Sequence, residues 1–211
     1  MTFISDAGRV SVTNVYIGEV FLVSGQSNME MSPNQLGGVL KELYSTTDCT
    51  NEQIRMAQIG WNDATEPSIL AINALQWVGA NRSSVLNFSA TGYIFGKHMQ
   101  EELGCPVGLV YNAVGGSSLE YWLSKENYDA LQEHYTTYTD GSSIMTPCYG
   151  YNNRLYPLAG FNFRSVVWYQ GESNAFGTQE YYDIALQTYI AQCREMFDNE
   201  QLGFTVCELA R

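Results

Sequence analysis

Histidine is what this sequence has least of. Its 211 residues include two, His98 and His134. A reaction that runs on an imidazole base therefore has two candidates at most. Cationic side chains are also few: 10 Lys and Arg stand against 22 Asp and Glu, a formal net charge of -12. Such a chain repels phosphate backbones, which argues against a nucleic-acid partner. No stretch of 18 consecutive apolar residues occurs, so no membrane-spanning helix is expected. The opening residues, MTFISD, lack the basic region and apolar core of a secretory signal, and this leaves the compartment open. The five cysteines (Cys49, Cys105, Cys148, Cys193 and Cys207) form no CxxC pair, so no zinc or other metal site is expected. Cys105, Cys193 and Cys207 sit in apolar patterns and read as core thiols, while a disulfide between the others stays open. GxGxxG and GxxxxGK[ST] patterns are absent, which counts against a nucleotide-binding domain.

What is present describes a globular α/β protein. Apolar residues make up 45% and charged residues 15%, enough to build the core of one domain. Five runs read as strands: 15–23, 53–59, 106–112, 165–169 and 204–209. Helical spacing recurs at Ala90, Ile94, Phe95, Met99 and Leu103, with Gly104 as a stop. It recurs again from Tyr182 to Phe197, and more weakly over 36–44. Strands alternating with helices imply a parallel sheet covered on both faces. Segments 61–87 and 126–162 carry mixed signals and read as long loops with short helices on the ligand-binding side.

Three loops carry the chemistry. The run VFLVSGQSNM (20–29) is a β-forming stretch that breaks at Gly25 and delivers Ser27 just past its end. In open α/β sheets, ligands sit beyond the carboxyl ends of the strands. Ser27 is therefore a candidate nucleophile, or else the N-cap of a helix. It does not lie in a GxSxG elbow, because position 29 is methionine. After the third strand comes NAVGGSS (112–118). Its glycines allow close backbone approach and can aim an N–H at an oxyanion or a phosphate, or simply turn the chain. After the fourth strand comes QGESN (170–174), whose Asn174 amide can donate to an oxyanion or cap a helix. Acyl transfer needs a nucleophile, a base and oxyanion donors. Three such loops after parallel strands should converge on one sheet edge.

These segments resemble the SGNH hydrolases, and within them the sialate O-acetylesterase and related carbohydrate acetylesterase group. The matching stretches are IGEVFLVSGQSNMEM (17–31), FSATGYIFGKHMQEELGCPVGLV (88–110), AVGGSSLEYW (113–122) and VVWYQGESNA (166–175). The resemblance implies a three-layer α/β/α sandwich with a flavodoxin-like, mostly parallel five-stranded sheet. It implies removal of acetyl groups from sugar hydroxyls through a serine acyl-enzyme, without a cofactor. Ser27 would be the nucleophile. The oxyanion hole would combine the Ser27 N–H, an N–H from Gly115 or Gly116, and the Asn174 side chain. Gly171 would let the Asn174 loop come close. Gln26, Asn28, Gln170 and Glu172 would line the substrate site, with Glu172 accepting loop N–H bonds rather than acting as base.

The resemblance also implies an Asp-x-x-His segment near the C-terminus, which would supply the base. Here the sequence ends at FTVCELAR (204–211), which matches the strand before that segment. His98 falls on the 90–103 helix and His134 in the middle loop, so neither matches the family position. The expectation is a single domain over 1–211, truncated before its base, poorly active and marginally stable alone, with 1–16 as the remnant of an upstream connection. The alternative is a catalytically silent carbohydrate-binding protein of the same fold. A sialate site should offer an arginine, and Arg55, Arg82, Arg154 and Arg164 are available. The acidic balance favours a neutral acetylated sugar. Trp77, Tyr93, Trp122, Trp168 and Tyr169 could stack on sugar rings or pack in the core. Oligomeric state is not legible.

Overall fold

The computed structural model describes residues 1–60, 64–69, 75–132, 146–175 and 181–209. It opens with an antiparallel hairpin, β1 (Thr2–Ser5) and β2 (Gly8–Ser11), whose residues are all exposed. The chain then enters the sheet through β3 (Glu19–Gly25). Next come the short helices α1 (Ser27–Glu30), α2 (Pro33–Leu36) and α3 (Gly38–Thr46). Strand β4 (Asn51–Gln58) is followed by β5 (Val78–Ala80), α4 (Arg82–Leu86), α5 (Ala90–Leu103) and β6 (Val107–Ala113). Helix α6 (Lys125–Ala130), strand β7 (Ser165–Tyr169), helix α7 (Tyr182–Met196) and strand β8 (Gly203–Val206) complete the order.

The sheet runs β5-β4-β6-β3-β7-β8. Strands β4, β6, β3, β7 and β8 are mutually parallel, as expected. The sheet has six strands rather than five, because β5 adds an antiparallel edge against β4. Three residues, Val-Gly-Ala, are too few to give a period, so the sequence carried no signal for it. At the other edge, β8 pairs with β7 on one side.

Side chains alternate across β3 as the pleat requires. Phe21 and Val23 join one core with Tyr93 from α5, Tyr44 from α3, and Leu109 from β6. Leu22 joins the opposite core with Val166, Trp168 and Tyr189 of α7. The two cores are the two interfaces of an α/β/α sandwich. Both long helices lie where their spacing puts them. Helix α5 is capped by Ser89, whose hydroxyl accepts from Gly92 N–H, and stops at Gly104 in the left-handed conformation. In α7, Tyr189 lies against Trp168 with ring centroids 4.4 Å apart. Tyr93, Trp122 and Trp168 are core residues, not sugar platforms. The thiols are distributed differently from the reading above. Cys49, Cys148 and Cys193 are buried, Cys105 and Cys207 are half-buried, and all five are free.

Central strand β3 ends at a position that only glycine fits. Gly25 has φ of 141°, and a Cβ there would fall on the Tyr169 carbonyl. Gly25→Ala should therefore cost at least about 3 kcal/mol in urea unfolding, from strain plus a backbone clash. Gly37→Ala, where φ is 64° with nothing within 4 Å, should cost only about 1 kcal/mol. A Gly25→Ala variant as stable as Gly37→Ala would refute this account.

Buried tyrosines set an alkaline limit. Burial pushes Tyr93, Tyr121 and Tyr151 up to about 12. The unfolded chain releases these protons near about pH 10, before the folded chain does. Stability is thus complete below that pH and falls as pH rises toward about 12. The urea midpoint should decline over this window while tyrosinate absorbance appears together with unfolding.

Candidate active site

The three loops meet at the carboxyl edge of the sheet because β3 lies between β6 and β7. The register pairs Ser24 with Asn112 on one side and with Trp168 on the other. Past Gly25, the Val114 N–H donates to the Gly25 carbonyl at 3.1 Å, and the Gln26 N–H donates to the Tyr169 carbonyl at 2.9 Å. Each neighbouring strand is thereby latched to the start of the serine loop.

Ser27 is the first residue of α1. The N-cap is Gln26, so the capping alternative for Ser27 does not hold. The Ser27 hydroxyl makes no hydrogen bond among the described residues, and the side chain is half-buried. The backbone N–H groups of Ser27 and Asn28 open the first turn of α1, and among the described residues neither has an acceptor.

The glycine loop comes up beside Ser27. A Cβ on Gly115 would lie 3.8 Å from the Ser27 Cβ and would collide with Glu30 Oε2. Glu30 Oε2 accepts the Gly115 N–H at 2.7 Å. Of the two glycines, Gly115 therefore has its N–H engaged. Gly116, exposed and at φ of 75°, has no acceptor for its N–H among the described residues. Behind this loop, buried Arg154 donates from Nε to Asn112 Oδ1 at 3.1 Å. Burial lowers its pKa, and the charges of Tyr111, Tyr121 and Glu30 oppose that.

The third loop is tied down by Gln26. Its Oε1 accepts from Gln170 Nε2 at 3.1 Å, Gly171 N–H at 3.3 Å and Ser173 N–H at 3.2 Å. Gln170 Nε2 also donates to the Ser117 carbonyl and, at 2.7 Å, to Asn174 Oδ1. Asn28 Nδ2 donates to Glu172 Oε1, so Glu172 accepts a side-chain amide rather than loop N–H groups. Asn174 departs from its expected role. Its Oδ1 accepts the Leu119 N–H at 3.0 Å. Its Nδ2 lies 3.1 and 3.0 Å from the two carboxylate oxygens of buried Glu120. A charge-assisted bond of this kind fixes the amide toward the protein interior.

Four residues escaped the sequence reading. Glu30 lies three positions after Ser27, and Glu120 lies inside a quoted motif, but neither spacing signals a role. Arg154 was noted only as a possible sialate ligand. Tyr182 OH donates to the Gln170 carbonyl at 2.8 Å, and burial pushes its pKa to about 12, so it remains a donor at neutral pH. The two histidines do not complete the site. His98 is on the solvent face of α5, its Nδ1 3.7 Å from Glu101. His134 lies outside the described residues. Gly171 packs against Leu209, so the segment after β8 runs along the rim of this loop. Among the described residues, no group of three or more His, Cys, Asp or Glu is placed to hold a metal, and no helix is long and apolar enough to cross a membrane.

A parallel sheet with a serine at the end of its central strand, flanked by a glycine loop and a QGESN loop, is the architecture of an SGNH-type esterase. The chain belongs to the family described as carbohydrate esterase, sialic acid-specific acetylesterase, whose model matches residues 17–211. The sialate O-acetylesterases of Pongo abelii and Homo sapiens are each 28% identical over 204 residues, covering 92% of this chain. The chain spans 38% of the length of those relatives. A crystal structure of a carbohydrate acetylesterase from Xanthomonas citri superposes with a TM-score of 0.81 at 27% identity, over 95% of this chain and 44% of that one. An Arabidopsis thaliana protein shares the fold at a TM-score of 0.54 and 17% identity, over 91% of this chain and 74% of that one.

Glu120 anchors the Asn174 amide. Glu120→Ala should cost about 2–3 kcal/mol in urea unfolding, because it strands a buried amide. Glu120→Gln, which keeps an acceptor oxygen, should cost less than half of that. Equal losses would show that the carboxylate does not hold the loop.

Proposed function

We propose that this chain forms the core of a carbohydrate O-acetylesterase that works through an acyl-enzyme on Ser27. The observation that carries the reading is the uncommitted Ser27 hydroxyl with the glycine loop brought up beside it at Gly115, the N–H groups of Ser27 and Gly116 having no acceptor among the described residues. Ser27 Oγ attacks the acetyl carbonyl, and the negative charge on the carbonyl oxygen is met by these two N–H groups. Removal of one such donor typically costs about 10²–10³ in rate. The Ser27 proton passes through a base to the departing sugar oxygen, and water then hydrolyses the acetyl-Ser27 ester, releasing acetate and returning a proton to the Ser27 oxygen.

Asn174 is a positioning residue in this scheme. It stabilises the third loop through Glu120, Leu119 and Gln170. Gln26 and Gln170 hold the loops together, and Asn28 with Glu172 closes the wall next to Ser27. No base is assigned here: His98 is on the solvent face of α5, and a serine nucleophile needs a base to reach its full rate.

Hydrolysis of an aryl acetate with added imidazole tests the reading on this chain. Imidazole supplies a base from solution. The expected result is imidazole-stimulated turnover that Ser27→Ala reduces to the imidazole background. Equal rates for the two proteins would overturn it. A second reading is favoured by the exposed position of His98: a silent carbohydrate-binding protein, recognised by binding of an acetylated sugar with no Ser27-dependent turnover even in imidazole.

A further inference from the structure

We infer that Tyr182 is a positioning residue of the Ser27 site, its hydroxyl clamping both oxygens of Gln170, an inference that rests on the esterase reading above. Tyr182 opens α7, and Gln170 is the first residue after β7. The hydroxyl lies 2.8 Å from the Gln170 carbonyl oxygen and 2.9 Å from Gln170 Oε1. The two residues are 12 positions apart in the chain, so the clamp closes the third loop at its base. Gln170 is buried, and among the described residues no other donor reaches either of its oxygens.

A chain of donors runs through this clamp in one direction. It starts at the Trp168 indole N–H, which donates to the Tyr182 oxygen at 3.2 Å. The Tyr182 hydroxyl donates in turn to Gln170. That leaves Gln170 Nε2 to face Gln26 Oε1, the Ser117 carbonyl and Asn174 Oδ1. Asn174 Nδ2 then faces the carboxylate of Glu120. Tyr, Gln and Asn each carry a donor and an acceptor, so alone they could point either way. An indole only donates and a carboxylate only accepts, and these two ends fix the direction of all three between them. Burial pushes the pKa of Tyr182 to about 12, so the hydroxyl keeps the proton that the chain requires.

The chain reaches the nucleophile through Gln26, the residue before Ser27, whose Oε1 accepts from Gln170 Nε2. Without the Tyr182 hydroxyl, two buried oxygens of Gln170 and the Trp168 indole lose their partner together. Unpaired buried polar groups are costly, and Gln170 escapes that cost by swinging its amide out of the network. Gln26 Oε1 then loses one of its three donors, and the serine loop is held less firmly against the third loop. A misplacement of about 1 Å at a reacting group can cost about 10²-fold in rate. Tyr182 thus acts on Ser27 through Gln170 and Gln26, which separates it from a residue that only fills the core.

Hydrolysis of an aryl acetate in imidazole, together with NMR of the side-chain amides, tests this. Tyr182→Phe should lower kcat about tenfold and leave KM within about twofold. In a Gln170→Leu background the same substitution should change kcat by less than about twofold, because its effect passes through Gln170. Tyr121→Phe deletes a buried hydroxyl that makes no hydrogen bond among the described residues, and kcat should stay within about twofold. In the unsubstituted chain, the side-chain amide protons of Gln170 should exchange with solvent at least about tenfold more slowly than those of exposed Gln201. That measurement decides the matter even where Tyr182→Phe does not fold. An unchanged kcat in Tyr182→Phe, an equal loss in both backgrounds, an equal loss in Tyr121→Phe, or Gln170 protons that exchange as fast as those of Gln201 would each overturn the inference. Ser27-dependent turnover that is indifferent to Tyr182→Phe would sink it and leave the esterase reading intact. Slow Gln170 exchange without any Ser27-dependent turnover would sink the esterase reading and leave the clamp a feature of the fold alone.

Discussion

One buried oxygen organises the carboxyl edge of this sheet. Oε1 of Gln26 receives Gln170 Nε2, Gly171 N–H and Ser173 N–H. Its own backbone N–H is latched to the Tyr169 carbonyl. The loop that presents Ser27 and the loop that carries Asn174 are therefore held by the same residue. Buried polar groups must find partners, and here a single amide oxygen accepts from three donors of the third loop. The arrangement demands close approach of β3 and β7, which explains why Gly25 cannot carry a side chain.

Two carboxylates divide the remaining work. Glu30 fixes Gly115, and Glu120 fixes Asn174. Each binds an N–H that an open oxyanion hole could otherwise have used. Gly116 is left with its N–H unspent, at a positive φ that suits glycine. The site is thus shaped as much by which donors are occupied as by which are offered. Its electrostatic character follows: the Glu30 carboxylate stands at the glycine loop beside the serine, and buried Arg154 lies behind that loop.

Much of this was legible in the sequence, for identifiable reasons. Strand ends read at residues 23, 112 and 169 fall within two residues of the observed Gly25, Ala113 and Tyr169, because apolar runs break at glycine or polar residues. The parallel order followed from alternation with α5 and α7, whose spacing is regular. Gln26, Ser27 and the Gly115-Gly116 pair could be put at the carboxyl edge of the sheet because they follow strands directly. Glu120 and Tyr182 were not, because their role depends on tertiary contacts across 54 and 12 residues of chain. The Asn174 side chain was assigned as a donor from its residue type, and sequence has no means to reveal that a buried carboxylate already faces its Nδ2. Strand β5 was invisible because three residues with a glycine at their centre carry no period.

The outer strand β8 has a further consequence. It is four residues long, Gly203-Phe204-Thr205-Val206, without a charged side chain or a proline, and it pairs with β7 on one side. Its outer row of backbone N–H and C=O groups has no strand partner among the described residues. Proteins usually blunt such an edge with lysine, proline or a covering segment. Here the nearest polar defence is the short length of the strand itself. An edge of this kind is one onto which a further strand can pair, in register with β8.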